Sequence, residues 1–481
     1  GMSKEIHKNK KGFVIVNTLI FAFIAIMITT AFVSWSAIVL NSLRHLEYRE
    51  KAFQIAEAGI DYYRWHLAHA SSDFQDGTGQ PGPYFHDFYD KDGVLLGQFK
   101  LDITAPTIGS TLVTIKSTGI ITIPISVSRT IEARLAIPSF AKYSVVANAA
   151  MRFGAGTEVF GPIHSNGGIR FDGLAHNIVT SAATTYNDAD SDACTVNSWG
   201  VHTCKAPADP QPQTLPPSRT DVFEAGRQYS VPTVDFVGLS TNLSNMKADA
   251  IANGRYFSAS GALGYHIVLK TNDTFDLYRV NSLVPAPSNC SSSQANWGTW
   301  SIAVGGEQLL GTYANPANGI IFVEDHLWIN GQINTSRLTI GAGRFPDSSS
   351  TWRDITINND LLYTNYDGQD VLGLMTQRNI NVGMVSEDDL RIDAALIAQN
   401  GRVGRFYYRG PSGQRCSPYH SRSIITLYGM LATSQRYGFA YTDGTGYITR
   451  NIIYDGNLLY APPPYFPLTS DQYSTVFWRE L

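Results

Sequence analysis

The sequence predicts an α+β protein that is mostly β. A long N-terminal helix is followed by a small antiparallel sheet and then by a large head of short β-segments, β-solenoid-like or alternatively a β-sandwich. Three observations predict this. An apolar run from Phe13 to Leu40 holds no charged residue and leads, without a helix breaker, into apolar residues spaced three or four apart. The segments GQFKLDIT, TLVTIKSTGIITI and ISVSRTIEARLAI alternate apolar and polar residues between turn signals. From Tyr143 onward, short runs rich in Val, Ile and Leu recur, each broken by Gly or Asn. The chain divides accordingly. Residues 1–12 are a basic leader, 13–70 the long helix and 71–140 a small β domain. Residues 141–207 form a first solenoid-like segment, 208–300 a Pro-rich connector with an inserted α/β subdomain, and 301–481 a second solenoid-like segment with the C-terminal region.

At 481 residues the chain can bury more than one core. Its 36 basic and 40 acidic residues leave a formal charge of −4, and no basic block follows the first dozen positions. Nucleic acid is therefore not expected as a partner. Charged residues make up only 16% of the chain beside 42 Gly and 25 Tyr, a mixture that suits exported, turn-rich β proteins.

Lys8, Lys10 and Lys11 precede the apolar run, which is longer than a secretory h-region of ~7–15 residues. As a helix at ~1.5 Å per residue it spans the ~30 Å hydrocarbon core of a bilayer. The flanking lysines place the N-terminus in the cytoplasm and the body outside. Beyond the span, Leu43, Leu46, Phe53, Ala56, Ile60, Tyr63 and Leu67 form an apolar stripe opposite Arg44, Glu47, Arg49, Glu50 and Glu57, so the helix should emerge as an amphipathic rod. Residues 71–93, rich in Gly, Pro and Asp, read as a loop. The small sheet follows and should cover the apolar stripe, with a turn at Ser117-Thr118-Gly119. In the head, ADPQPQTLPPS reads as a connector. Ser240 reads as the cap of a short helix through Leu239, Leu243 and Met246 that Gly254 ends, and YFSASGALGYHIVLKTNDTFDLYRV as strands of the inserted subdomain.

None of the four cysteines has the spacing of a zinc ribbon or redox motif. Cys194 and Cys204 close a short loop around Trp199 and Gly200 and are expected to pair in an oxidising compartment, two free thiols being the alternative. A Cys290–Cys416 bridge stays open. Asp188, Asp190 and Asp192 match the first three ligands of a calcium loop. Ala193 stands where that loop needs Gly and Trp199 where it needs Glu, so a solvated acidic loop is expected and no metal. The carboxylates Glu324-Asp325 and Glu387-Asp388-Asp389 lack the spacing of an acid–base pair, and His164 and His326 stand alone. With no nucleophile elbow, phosphate loop or zinc-protease motif, the chain is not expected to be an enzyme and no cofactor is expected. Eight tyrosines, Tyr407, Tyr408, Tyr419, Tyr428, Tyr437, Tyr441, Tyr447 and Tyr454, crowd the C-terminal third and read as core in preference to a binding surface.

The basic leader ending in KKG, the run FVIVNTLIFAFIAI and the segment KAFQIAEAGIDYYRWHL together resemble the N-terminus of type IV pilin-like proteins. Ala52 to Ile60, AFQIAEAGI, is most similar to PilX-type minor pilins and to the K-type pseudopilin of type II secretion. The C-terminal YGMLATSQRYGF, GTGYITRNIIYDGNLLYAPPPYFP and VFWREL are similar in texture to the end of large PilX-type proteins. The resemblance implies cleavage by prepilin peptidase between Gly12 and Phe13 and methylation of the new Phe13 amine. It implies contact with other pilins through the helix, with the assembly platform and with membrane lipid, first in the inner membrane and then on the cell surface. A head ligand, surface glycan or protein, would follow from an adhesive role. Asn17 departs from the family at mature position five, where most pilins carry Glu, which points to the fibre tip. The alternative is a membrane-anchored β-helix protein that binds or cleaves surface polysaccharide.

Overall fold

The computed structural model describes residues 10–188, 190, 194, 197–212, 215–236, 238–410, 415–468 and 471–481. They form two compact units. The first comprises the described residues up to Ala105, Val113–Leu135 and Tyr473–Leu481; the second comprises Pro106–Leu112 and Ala136–Gln472.

The first unit is one helix on one sheet. Helix α1 runs unbroken over Lys10–His69, 60 residues, about 90 Å at the α-helical rise. The sheet consists of β1 (Tyr84–Tyr89), β2 (Leu95–Thr104), β3 (Val113–Ile121) and β4 (Val127–Ala136), an antiparallel meander, with Ser474–Glu480 added beside β4. Ile55, Ile60, Tyr63 and Leu67 of α1 are buried against Phe99, Leu101, Ile115 and Ile131 of the sheet. Small residues let the backbones meet. A Cβ on Gly119 would lie 1.9 Å from the Ala52 carbonyl oxygen, and one on Gly59 would lie 2.2 Å from Ser117 Oγ. Ala52, Ala56 and Gly59 of the AFQIAEAGI segment are thus the seat of β3 on the helix.

Two local expectations are corrected here. Ser117-Thr118-Gly119 is mid-strand in β3, its glycine serving close approach to α1 in place of a turn. The stretch expected as a loop, 71–93, contains β1, because the aromatic residues Tyr84, Phe85, Phe88 and Tyr89 pair with β2 between the flanking Pro and Gly signals.

The second unit is dominated by parallel, in-register pairing. One column runs Ile321, Ile340, Leu374, Leu396, Leu431, Val145, Ile163 and Val179, each opposite the next on the neighbouring strand. All eight are fully buried in one core, as period-two alternation requires when a single face is turned inward. Their neighbours Phe322, Met375, Ile397 and Val146 face the other way and form a second core. Helix α2 (Gly238–Asn253) covers it with Leu243, Met246 and Ala250, and Gly254 follows its end. The helix begins two residues before Ser240, which therefore lies inside its first turn and is not its cap.

The strands Arg255–Phe257 and Gly264–Leu269 pair in parallel with Ile320–Val323 and Leu327–Ile333. The segment expected as an inserted subdomain therefore joins the main sheet. Its antiparallel part is limited to Gly264–Leu269, Thr274–Val280 and Glu307–Ala314.

Candidate functional site

The charge-free half of α1 is composed for an apolar surrounding. In the single chain Phe13 is 72% exposed, and Phe21, Phe32, Val33 and Ile38 are open as well, far more apolar surface than a water-exposed helix carries. Its most apolar 18-residue window has a mean hydropathy of 2.4, and this is the one helix among the described residues long and apolar enough to cross a membrane. Three threonines along the run bond to the helix backbone. Thr18, Thr29 and Thr30 each donate a hydroxyl hydrogen bond of 2.8 Å to the carbonyl four residues back. Asn17 is half-buried and carries no charge. The Gly12–Phe13 junction lies within the first turn of α1. From Ala52 onward the same helix changes surroundings and packs on the sheet.

In the head, Asp188 is fully buried and is not the solvated residue expected. Its carboxylate accepts from the Tyr186 hydroxyl at 3.0 Å, from Arg436 at 3.2 Å and from Arg170 at 3.4 Å. Asp190 accepts from Arg436 at 2.7 Å and Arg152 at 2.8 Å. Asp192 lies outside the described residues. Guanidinium groups therefore contact both oxygens of Asp188 and one of Asp190. The cysteines are brought together in pairs, Cys194 with Cys204 at a Cα separation of 6.1 Å and Cys290 with Cys416 at 4.8 Å, both within the reach of a disulfide.

Four of the five carboxylates singled out in the sequence are hydrogen-bonded. Glu324 accepts from Lys247 and from the Tyr256 hydroxyl. Asp325 accepts from the Ser260 hydroxyl at 2.6 Å and backbone N–H at 2.9 Å. Asp388 accepts from the Ser423 hydroxyl and N–H, and Glu387 from Asn359 at 3.0 Å; burial pushes the Glu387 carboxyl above its usual range, helped by nearby Asp360. Asp389 opens a strand of the main sheet.

His164 lies between Thr180 Oγ1 at 3.0 Å and Asn166 Oδ1 at 3.1 Å under the ring of Tyr143, and burial lowers its pKa. His326 accepts from the Asp354 backbone N–H at 3.0 Å, and burial brings its pKa down to about 4. The Asp354 carboxylate lies 3.8 Å from His326 Nδ1. Of the eight tyrosines, Tyr408, Tyr437 and Tyr447 are buried and the other five half-buried, so the reading as core holds for three of them, and Tyr437, Tyr441 and Tyr447 line a cleft.

The sequence reading missed a cleft of about 1020 Å³ in the second unit. Among the described residues, Arg152, Arg378, Arg402, Arg436 and Arg450 line it beside a single acidic residue, Asp190. These arginines are spread over three hundred positions, and no local spacing announces them; only the parallel stacking of distant strands gathers them.

No family model matches the chain, and no curated protein matches it. Among solved structures it is similar to the competence-associated pilin ComZ from Thermus thermophilus, at 12% identity over 90% of this chain and 98% of that one, with a TM-score of 0.31. A superposition that loose establishes neither fold nor function.

Proposed function

We propose that the chain is a non-enzymatic minor pilin or pseudopilin, of PilX-type, in a type IV pilus or related secretion machine. The observation that carries this reading is α1, a single helix whose first half is charge-free and exposed while its second half is the spine of a compact antiparallel domain. An anchor alone needs only the first half. A subunit whose helix is handed from a bilayer into a bundle of like helices needs both, continuous and rigid. The AFQIAEAGI residues that carry the resemblance are those on which β3 rests, and this supports a shared domain plan.

In this reading prepilin peptidase cuts between Gly12 and Phe13 and the Phe13 amine is methylated. The chain then passes from the inner membrane into the fibre through contacts with the assembly platform and other pilins. The subunit sits at the tip. A buried terminal amine in a helical bundle needs a carboxylate from the neighbouring subunit, and Asn17 supplies none, so nothing is expected to stack on it. The parallel columns of the second unit support a solenoid-like head over a sandwich, whose sheets would be antiparallel. The head acts by contact, in assembly initiation or adhesion, and not by catalysis; the engagement of Glu324, Asp325, Glu387 and Asp388 supports this. Both cysteine pairs are oxidised outside the cell. Immunogold labelling of the head tests the placement: label at fibre ends is expected, and label along the shaft or confined to membranes would contradict it.

A further inference from the structure

The cleft of the second unit carries more positive charge than its own acids neutralise. Arg152 and Arg436 hold Asp190, and Arg378 is held by both oxygens of Asp354. Arg402 differs. Among the described residues it meets no carboxylate; its guanidinium lies 5.0 Å over the ring of Phe406, 3.3 Å from the Tyr441 hydroxyl and 3.1 Å from the Arg405 carbonyl oxygen. Buried Arg450 likewise bonds only to oxygens that bear no charge, the carbonyls of Tyr447 at 2.6 Å and Ile448 at 2.7 Å and the Thr157 hydroxyl at 2.9 Å among them. A guanidinium that surrenders hydration without gaining an anion is a loss to the fold, and low-dielectric walls focus the resulting positive field into the cleft.

Neutral hydrogen-bonding groups flank Arg402. Gln294 donates to the Tyr441 hydroxyl at 3.0 Å and accepts from the Tyr407 backbone N–H at 2.7 Å, which fixes the Tyr441 ring beside the guanidinium and leaves one amide N–H of Gln294 without a bond among the described residues. Asn296 uses its oxygen to accept from Arg378 at 2.7 Å, while its amide nitrogen makes no bond among the described residues. The Tyr437 hydroxyl on the wall is buried without a partner among the described residues. At about 1020 Å³ the cleft is at the upper end of the ~300–1,000 Å³ that a small molecule fills, room for several linked sugar rings.

We propose that this cleft binds an acidic polysaccharide, with a sugar carboxylate seated on Arg402 and neighbouring hydroxyls on the amides of Gln294 and Asn296. A guanidinium offers a carboxylate two parallel N–H donors, and neutral amides suit hydroxyls. Nucleic acid fits less well, because a strand brings one phosphate per nucleotide and binds through many released counterions. Here, among the described residues, no lysine lines the cleft and three of the five arginines are already paired. The proposal gives a ligand class to the adhesive part of the reading above, but it uses only the head.

The test is titration of the full chain in detergent micelles with polygalacturonate, with its methyl ester and with single- and double-stranded oligonucleotides, at one fixed salt concentration. Polygalacturonate should bind, the uncharged ester about tenfold more weakly or worse. Arg402→Gln should reproduce that loss on the native polymer, and Arg402→Lys should restore part of it, since the charge returns without the fork. Absence of polygalacturonate binding, equal binding of the ester, or preference for an oligonucleotide would each overturn the proposal. The ester comparison uses the unaltered protein, so it stands even where a variant misfolds. Fibre assembly does not enter this assay, so its failure leaves the pilin reading untouched, and the reverse holds for the immunogold result.

Discussion

His164 and His202 are buried and His326 is half-buried, and loss of hydration lowers the pKa of all three. For His326 the value falls from 6.5 to about 4. Between those values the unfolded chain binds a proton that the folded chain refuses, so unfolding gains protons and stability falls as pH drops. Thermal unfolding should therefore be steady above about pH 6.5 and decline from there towards pH 4. His326→Gln should flatten part of that decline; an unchanged slope would remove His326 from the account. The buried column makes a second demand at this scale. Leu374 and Leu396 oppose each other within it, both fully enclosed, so Leu396→Ala should cost about 2–5 kcal/mol in urea unfolding. A change near zero would mean that the column is not the core of the head. None of this was visible residue by residue. Val145 stands opposite Leu431, and its strand of only three residues, Val145–Ala147, gives too short a pattern to register a partner almost three hundred positions away.

Helix α1 was the most legible element, because a charge-free run and a stripe at helical spacing both survive over many turns. The meander β2–β4 was legible for the same reason at period two. Ser117–Gly119 misled, since a glycine signals a turn as readily as it signals a neighbouring backbone, and only the packing on Ala52 distinguishes them. Gly119→Val tests that packing. Its side chain cannot fit against α1, so the first unit should lose about 3 kcal/mol and residues 47–69 should become open to proteolysis. Protease resistance equal to the parent would argue that the helix does not rest on β3. The closing strand Ser474–Glu480 was not legible as part of this sheet, its partner β4 lying more than three hundred residues earlier. Arg479 donates to Glu132 at 3.1 Å and Trp478 packs edge-on against Phe53 at 5.9 Å, and these contacts hold the largely exposed strand in place beside β4. Truncation before Ser474 should expose β4 as an edge and promote aggregation of the exported part, read by size-exclusion chromatography.

For the molecule as a whole, the long apolar helix was legible in the sequence and the cleft was not. The helix is a contiguous pattern, and the cleft is assembled from Arg152 to Arg450 by long-range parallel pairing. The central claim is that the apolar half of α1 is a processed pilin segment and more than a permanent anchor. Intact mass of the chain purified from cells with an active prepilin peptidase tests it most directly. The account predicts a mature protein that begins at Phe13 with one methyl group on its amine; a mass that retains Gly12 and the residues before it would contradict it.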